Sequence, residues 1–210
     1  GTATTAQANA LADETSGIVT ATIAEGDLAT LSGLTGTGNA YAITISDTAV
    51  NAAILNAINN KTINDINGQN IIQIEGTAED IATAYTAGGI NGLGDEEIIF
   101  TASNINASDL IAIDSANSQV IDASTLTTLT GTAVDLNTAF ESGGISNLGD
   151  EDVTLTDTSL TTSVLNALDN NTTGSIDAST LNTLTGAAVN LNTAFNSGGI
   201  SNLGDEDVTL

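Results

Sequence analysis

The chain has 210 residues, with 26 acidic side chains against a single basic one, Lys61, and a formal net charge of −25. It has no His, Cys, Pro, Met or Trp, which excludes Ser-His and Cys-His nucleophile pairs, thiolate and imidazole metal ligands, and disulfides. One Lys and no Arg offer nothing to neutralise a phosphate backbone or an anionic membrane, so no nucleic acid and no membrane insertion are expected. Yet 40% of the residues are hydrophobic and the mean hydropathy is +0.16. Disorder needs low hydrophobicity as well as high charge, so a folded chain is expected. No apolar run approaches the length of a membrane span, and no basic segment followed by an apolar one opens the chain. Neither a transmembrane helix nor a leader is therefore expected within it.

Self-comparison sets the organisation. Leu93-Gly94-Asp95-Glu96-Glu97-Ile98 returns as Leu148-Gly149-Asp150-Glu151-Asp152-Val153 and as Leu203-Gly204-Asp205-Glu206-Asp207-Val208. Asp95, Asp150 and Asp205 are equally spaced and define a 55-residue period. Fixed-period self-similarity marks a repeat array in which each unit covers its neighbour. The expected boundaries are a degenerate unit at about 1–65 and regular repeats at about 66–120, 121–175 and 176–210, the last one incomplete. All belong to one segment, 1–210, of a longer array.

In chain order, Ile43 to Thr48 aligns with Val153 to Thr158, but Ala40-Tyr41-Ala42 stands where the acidic triplet is expected. Val50, Ile54, Leu55 and Ile58 then show helical spacing. Ile71 to Ile74 reads as a strand. Thr77 and Thr132 each precede an acid three places on, Asp80 and Asp135, as helix-capping residues do. Val120 to Ala123 is a short strand. Leu126 to Thr130 also fits helical spacing but reads better as strand, by analogy with Ile71 to Ile74. Ala133 to Glu141 is a helix with Ala133, Leu136 and Phe140 on one face, stopped by Gly143-Gly144. Val153 to Thr156 is a β-branched strand, after which Asp157 or Thr158 would cap a helix carrying Leu160, Val164, Leu165 and Leu168. Phe140 and Phe195 are expected in the core. The fold class is therefore an α/β repeat: an elongated right-handed solenoid of strand-helix units on one continuous parallel sheet, two units per period. The alternative is a β-helix with corner helices.

The acidic triplets Asp95-Glu96-Glu97, Asp150-Glu151-Asp152 and Asp205-Glu206-Asp207 are the candidate site. Clustered carboxylates suit calcium, a hard cation bound by oxygens, although neither established calcium-loop pattern is present. The competing reading is a solvated turn that keeps the array soluble. No other cofactor is indicated. Thr154, Thr156 and Thr158 alternate and would share one strand face; an ice-binding array is the weaker reading of them. Carboxylate catalysis is disfavoured, because the acids recur every period and aromatic platforms are scarce. No enzyme is expected.

The strings Asp152 to Leu160, Val164-Leu165-Asn166-Ala167-Leu168-Asp169 and Leu129-Thr130-Gly131-Thr132-Ala133-Val134-Asp135-Leu136-Asn137-Thr138-Ala139-Phe140 resemble repeats of giant acidic cell-surface or secreted proteins of marine bacteria, especially cyanobacteria. The resemblance spans roughly residues 40–210. It implies an extracellular or cell-surface location and a structural role as scaffold, surface layer, filament or adhesin stalk. A calcium-dependent adhesive or carbohydrate-binding module is the alternative. The implied partners are neighbouring repeats of the same or another copy, with surface glycans as the alternative.

Overall fold

The computed structural model describes residues 1–210. It is an α/β fold of eight helices and short strands, every strand pair parallel, that divides into two compact units.

The first unit comprises Gly1–Thr101 with Ser115–Gln119. It contains β1 (Thr2–Ala3), α1 (Thr5–Glu14), β2 (Thr20–Ile23), α2 (Leu28–Leu31), β3 (Ala40–Ala42) and β4 (Ala49–Asn51). After these come α3 (Ala52–Asn59), β5 (Ile66–Asn67), β6 (Gln73–Gly76), α4 (Ala78–Thr86), β7 (Ile90–Asn91) and β8 (Glu97–Phe100). Its sheets run β1-β2-β3, β4-β6-β8 and β5-β7.

The second unit, Ala102–Asp114 with Val120–Leu210, opens with β9 (Asn104–Asn106) and most of α5 (Ala107–Ala116). Next are β10 (Ile121–Asp122), β11 (Thr128–Gly131), α6 (Ala133–Glu141), β12 (Ile145–Ser146), β13 (Asp152–Leu155), β14 (Ser159–Thr161) and α7 (Thr162–Asn171). It ends with β15 (Ile176–Asp177), β16 (Thr183–Thr185), α8 (Ala188–Phe195), β17 (Ile200–Ser201) and β18 (Asp207–Thr209). Its sheets are β9-β11-β13-β15-β17, β10-β12 and β14-β16-β18. The single continuous sheet expected from the pattern is thus six small ones.

Register explains the odd period. Gln73 pairs with Glu97 at a sequence separation of 24. Thr128 with Asn104, Asp152 with Thr128, and Thr183 with both Ser159 and Asp207 keep that same step. The isoleucines that open β5, β7, β10, β12, β15 and β17 keep it only at every other interval. Ile66 to Ile90, Ile121 to Ile145 and Ile176 to Ile200 repeat the short step, whereas Ile90 to Ile121 and Ile145 to Ile176 take a longer one. Every second turn of chain therefore carries one additional strand, β9 or β14, and a short turn with a long one makes the repeat. Within the second unit β13 meets both β11 and β15, whereas β14 starts a separate sheet with β16.

Each repeat supplies the same apolar set. Ile74 and Ile81 in the first unit, and Leu129, Leu136 and Leu184 in the second, are completely buried. A strand contributes one of these and the following helix another, and alternation along the strand turns threonine or glutamate outward. At the ends of β6 and β11 a glycine lies beneath the first residue of the preceding helix. A Cβ on Gly131 would lie 3.2 Å from Ala107 Cβ, and one on Gly76 3.1 Å from Ala52 Cβ.

Three local expectations change. Leu160 lies in β14 and its counterpart Val50 in β4, neither in a helix, and α7 and α3 start at Thr162 and Ala52. Asp157 caps the helix before it in sequence: its Oδ2 accepts from Ala133 N of α6 at 2.7 Å. Asp47, two periods earlier, does the same for Leu28 N of α2 at 2.7 Å. Phe140 is half-buried and Phe195 is 40% exposed, so neither is a core anchor. Leu136 and Ala139, fully buried on the same helix, fill the position expected of Phe140.

Candidate functional site

Each acidic triplet forms the turn that leads into a strand, and its middle member parts from the outer two. Asp95, Glu97, Asp150, Asp152, Asp205 and Asp207 lie toward solvent. Glu96 and Glu151 are 0% and 2% exposed, and Glu206 is half-buried. The middle glutamate folds back under its own turn. Glu151 Oε2 accepts from Gly149 N at 2.8 Å and Asp150 N at 3.2 Å, and Glu96 Oε2 from Gly94 N at 2.8 Å and Asp95 N at 3.1 Å. Glu206 Oε2 accepts from Gly204 N at 2.9 Å. Gly149 has a φ of 138°, a conformation that favours glycine and aims its N–H at the carboxylate. Backbone amides thus offset a buried negative charge that no cation is at hand to pair.

The turn is also held from the neighbouring stretch of chain. Asn117 Nδ2 donates to the Glu96 carbonyl at 2.7 Å, and Thr172 Oγ1 donates to the Glu151 carbonyl at 2.8 Å. In the first unit Tyr85 Oη adds a third donor to Glu96 Oε2 at 2.7 Å. Burial of the Tyr85 phenol and its bond to Glu96 push its pKa well above the ordinary tyrosine range. The matching residue in the second unit is Phe140, which has no hydroxyl, so Glu151 depends on the amides alone. Tyr85, Asn117 and Thr172 escaped the sequence reading. The detectable signal was a tyrosine upstream of the glutamate, at a position otherwise occupied by phenylalanine.

The remaining acids do not converge. No group of three or more is placed to hold a metal ion. Glu97 Oε2 accepts from Gln73 Nε2 at 3.2 Å. Asp152 Oδ1 accepts from Ser175 N and Oγ at 2.8 and 2.9 Å, which lowers its pKa from the ordinary carboxylate value.

Beside the turns of the second unit lies a cleft that repeats. Ser124, Thr127, Asn147, Gly149 and Asp150 line a cavity of about 680 Å³, and Ser179, Asn202, Gly204 and Asp205 line one of about 340 Å³. Asn147 and Asn202 have φ of 61° and 60°, and their amides donate to Asp122 Oδ1 at 2.8 Å and Asp177 Oδ1 at 2.7 Å. These bonds, with those from Ser124 N and Ser179 N, hold both aspartates below the ordinary carboxylate range. The clefts present hydroxyls, amides and carboxylates, a surface that hydrogen-bonds polar ligands. The threonine row is shorter than expected, since β13 ends at Leu155 and only Thr154 of the three lies in it. Compared with protein-family models, curated proteins and solved structures, the chain matches none of them.

Proposed function

We propose that this chain is a structural repeat module of a longer extracellular or cell-surface protein, built as a right-handed solenoid and serving as scaffold or stalk rather than as an enzyme. The observation that carries the reading is where the recurring polar side chains go. They join one turn of chain to the next. Asn137 Nδ2 donates to the Val164 carbonyl at 3.2 Å, and Asn166 Nδ2 to the Asn190 carbonyl at 3.0 Å. Ser142 Oγ donates to Asp114 Oδ2 at 2.6 Å, and Ser197 Oγ to Asp169 Oδ2 at 2.7 Å, the same link one period on. The glutamates of the acidic turns are likewise bound within the protein. Side chains spent on their neighbours support cohesion along a repeat array.

The test is to vary the number of repeats. Solution scattering on chains lengthened by one and by two whole repeats should show the longest dimension growing by a constant increment. A compact particle whose radius grows only as a cube root of mass would overturn the solenoid. Labelling of intact, unpermeabilised cells with an antibody to the chain tests the location, and signal only after permeabilisation would refute it. The second reading, a calcium-dependent adhesive or glycan-binding module, is favoured by one feature: the polar cleft recurs beside exposed Asp150 and Asp205. Glycan-array binding that depends on calcium would put that reading first.

A further inference from the structure

The one basic side chain of this acidic protein lies at an apolar groove. In the first unit, Leu31, Ala53, Ile54, Ala57 and Ile58 line a cavity of about 230 Å³, with Lys61 as its charged member. The groove exists because α2 is a single four-residue turn, too short to cover the adjacent face of the eight-residue α3. Ile54 is consequently 40% exposed. The pairing of an apolar rim with a lysine is particular to the degenerate unit: Ile54 and Lys61 correspond to Asp109 and Ala116 one period later, and to Val164 and Asn171 two periods later.

Lys61 follows the end of α3, where a cation is favourable to the helix dipole. That role needs no apolar wall. Lys61 is the single basic side chain among 26 acidic ones. It is half-buried and lines the cavity, as expected of a side chain whose aliphatic stem covers apolar surface.

We propose that this groove binds a free medium-chain alkyl carboxylate, the chain lying on Ala53, Ile54 and Ala57 and the carboxylate pairing with Lys61. The volume is below the range of pockets for drug-sized ligands, which suits a short aliphatic chain. The lone cation selects the sign of the head group, since a cationic amphiphile would meet Lys61 as a like charge. This inference does not depend on the structural role proposed above.

The test is a methyl NMR titration of the full chain with decanoate, below its micelle-forming concentration and at about 0.15 M salt to screen the net charge. Saturable shifts are expected at the methyls of Ala53, Ile54 and Ala57. Lys61→Gln should weaken decanoate about three- to tenfold, as loss of a partly shielded ion pair implies, and leave decanol binding unchanged. Should Lys61→Gln disturb folding, Ile54→Asp at the exposed rim is the second variant, expected to abolish the shifts. Absence of saturable shifts, undiminished decanoate binding in Lys61→Gln, or equal binding of decyltrimethylammonium would each overturn the proposal. So would tighter binding of a peptide through its C-terminal carboxylate.

Discussion

At Glu96 and Glu151 the same turn is built with and without a tyrosine hydroxyl, which makes the pair an internal experiment. Tyr85→Phe removes a donor from a buried carboxylate and should destabilise the first unit by about 1.5–3 kcal/mol, the range for hydrogen bonds to charged groups. Phe140→Tyr should raise the stability of the second unit by about 1 kcal/mol, offering Glu151 the donor that Glu96 already has. Denaturant melts of both variants would check this, and equal, negligible changes would show that the amides alone satisfy the glutamate. The phenol also predicts an alkaline limit. With the folded pKa of Tyr85 raised above the unfolded value of about 10, the folded state keeps its proton longer as pH rises. The stability is fully present below about pH 10 and falls above it, by at most about 1.4 kcal/mol per pH unit for this group. Tyr41, whose pKa burial also raises, adds to the decline. Stability measured from mildly to strongly alkaline pH should therefore fall less steeply in Tyr85→Phe than in the parent chain. Parallel curves would contradict the assignment.

Helix starts show how much of each element is written locally. Thr77 Oγ1 accepts from Asp80 N at 3.1 Å and donates to Asp80 Oδ2 at 2.8 Å, and Thr132 makes the matching pair with Asp135 at 3.2 and 2.7 Å. Ala187 holds the same place before α8 and makes no side-chain cap. Ala187→Thr should raise stability by about 1 kcal/mol and Thr132→Ala should lower it by a similar amount, read as shifts in the denaturant midpoint. A null result at both positions would mean that neighbouring turns already hold these helix ends. The bounds of α6 were legible because a cap residue, an acid at the third position and an apolar face coincide within one short helix. The start of α7 was not. Thr161 makes no side-chain cap there, and Asp157, which resembles one, serves Ala133 from a full turn of chain away. Such a contact depends on register, and register emerges only when the short and long turns stack. The buried glutamate was hidden for a related reason. A charged side chain between Asp and Asp reads as solvated until the glycine two residues before it is seen to turn its amide inward.

On the scale of the whole molecule, 26 acids and one lysine make self-repulsion the largest electrostatic effect. Screening shortens the reach of that repulsion from about 10 Å at about 0.1 M ionic strength to about 3 Å at about 1 M. The melting temperature should therefore rise with sodium chloride over this range, the reverse of a protein stabilised by surface ion pairs. Comparing calcium with sodium at matched ionic strength then separates screening from binding. Glu96 and Glu151 commit Oε2 to their own turn amides and bury the unpartnered Oε1, and Asp152 is held by Ser175, so few accessible carboxylates remain at each turn to surround a cation. The expected outcome is a small calcium increment that appears in the millimolar range and grows without a sharp end point. A tight site would instead add about 2.7 kcal/mol once calcium reaches about one hundred times its dissociation constant, and would reach that value at micromolar concentration. A saturating micromolar transition in melting temperature or calorimetry would move the acidic turns from structural fastening to metal binding, and calcium-bridged adhesion would replace the scaffold as the leading reading.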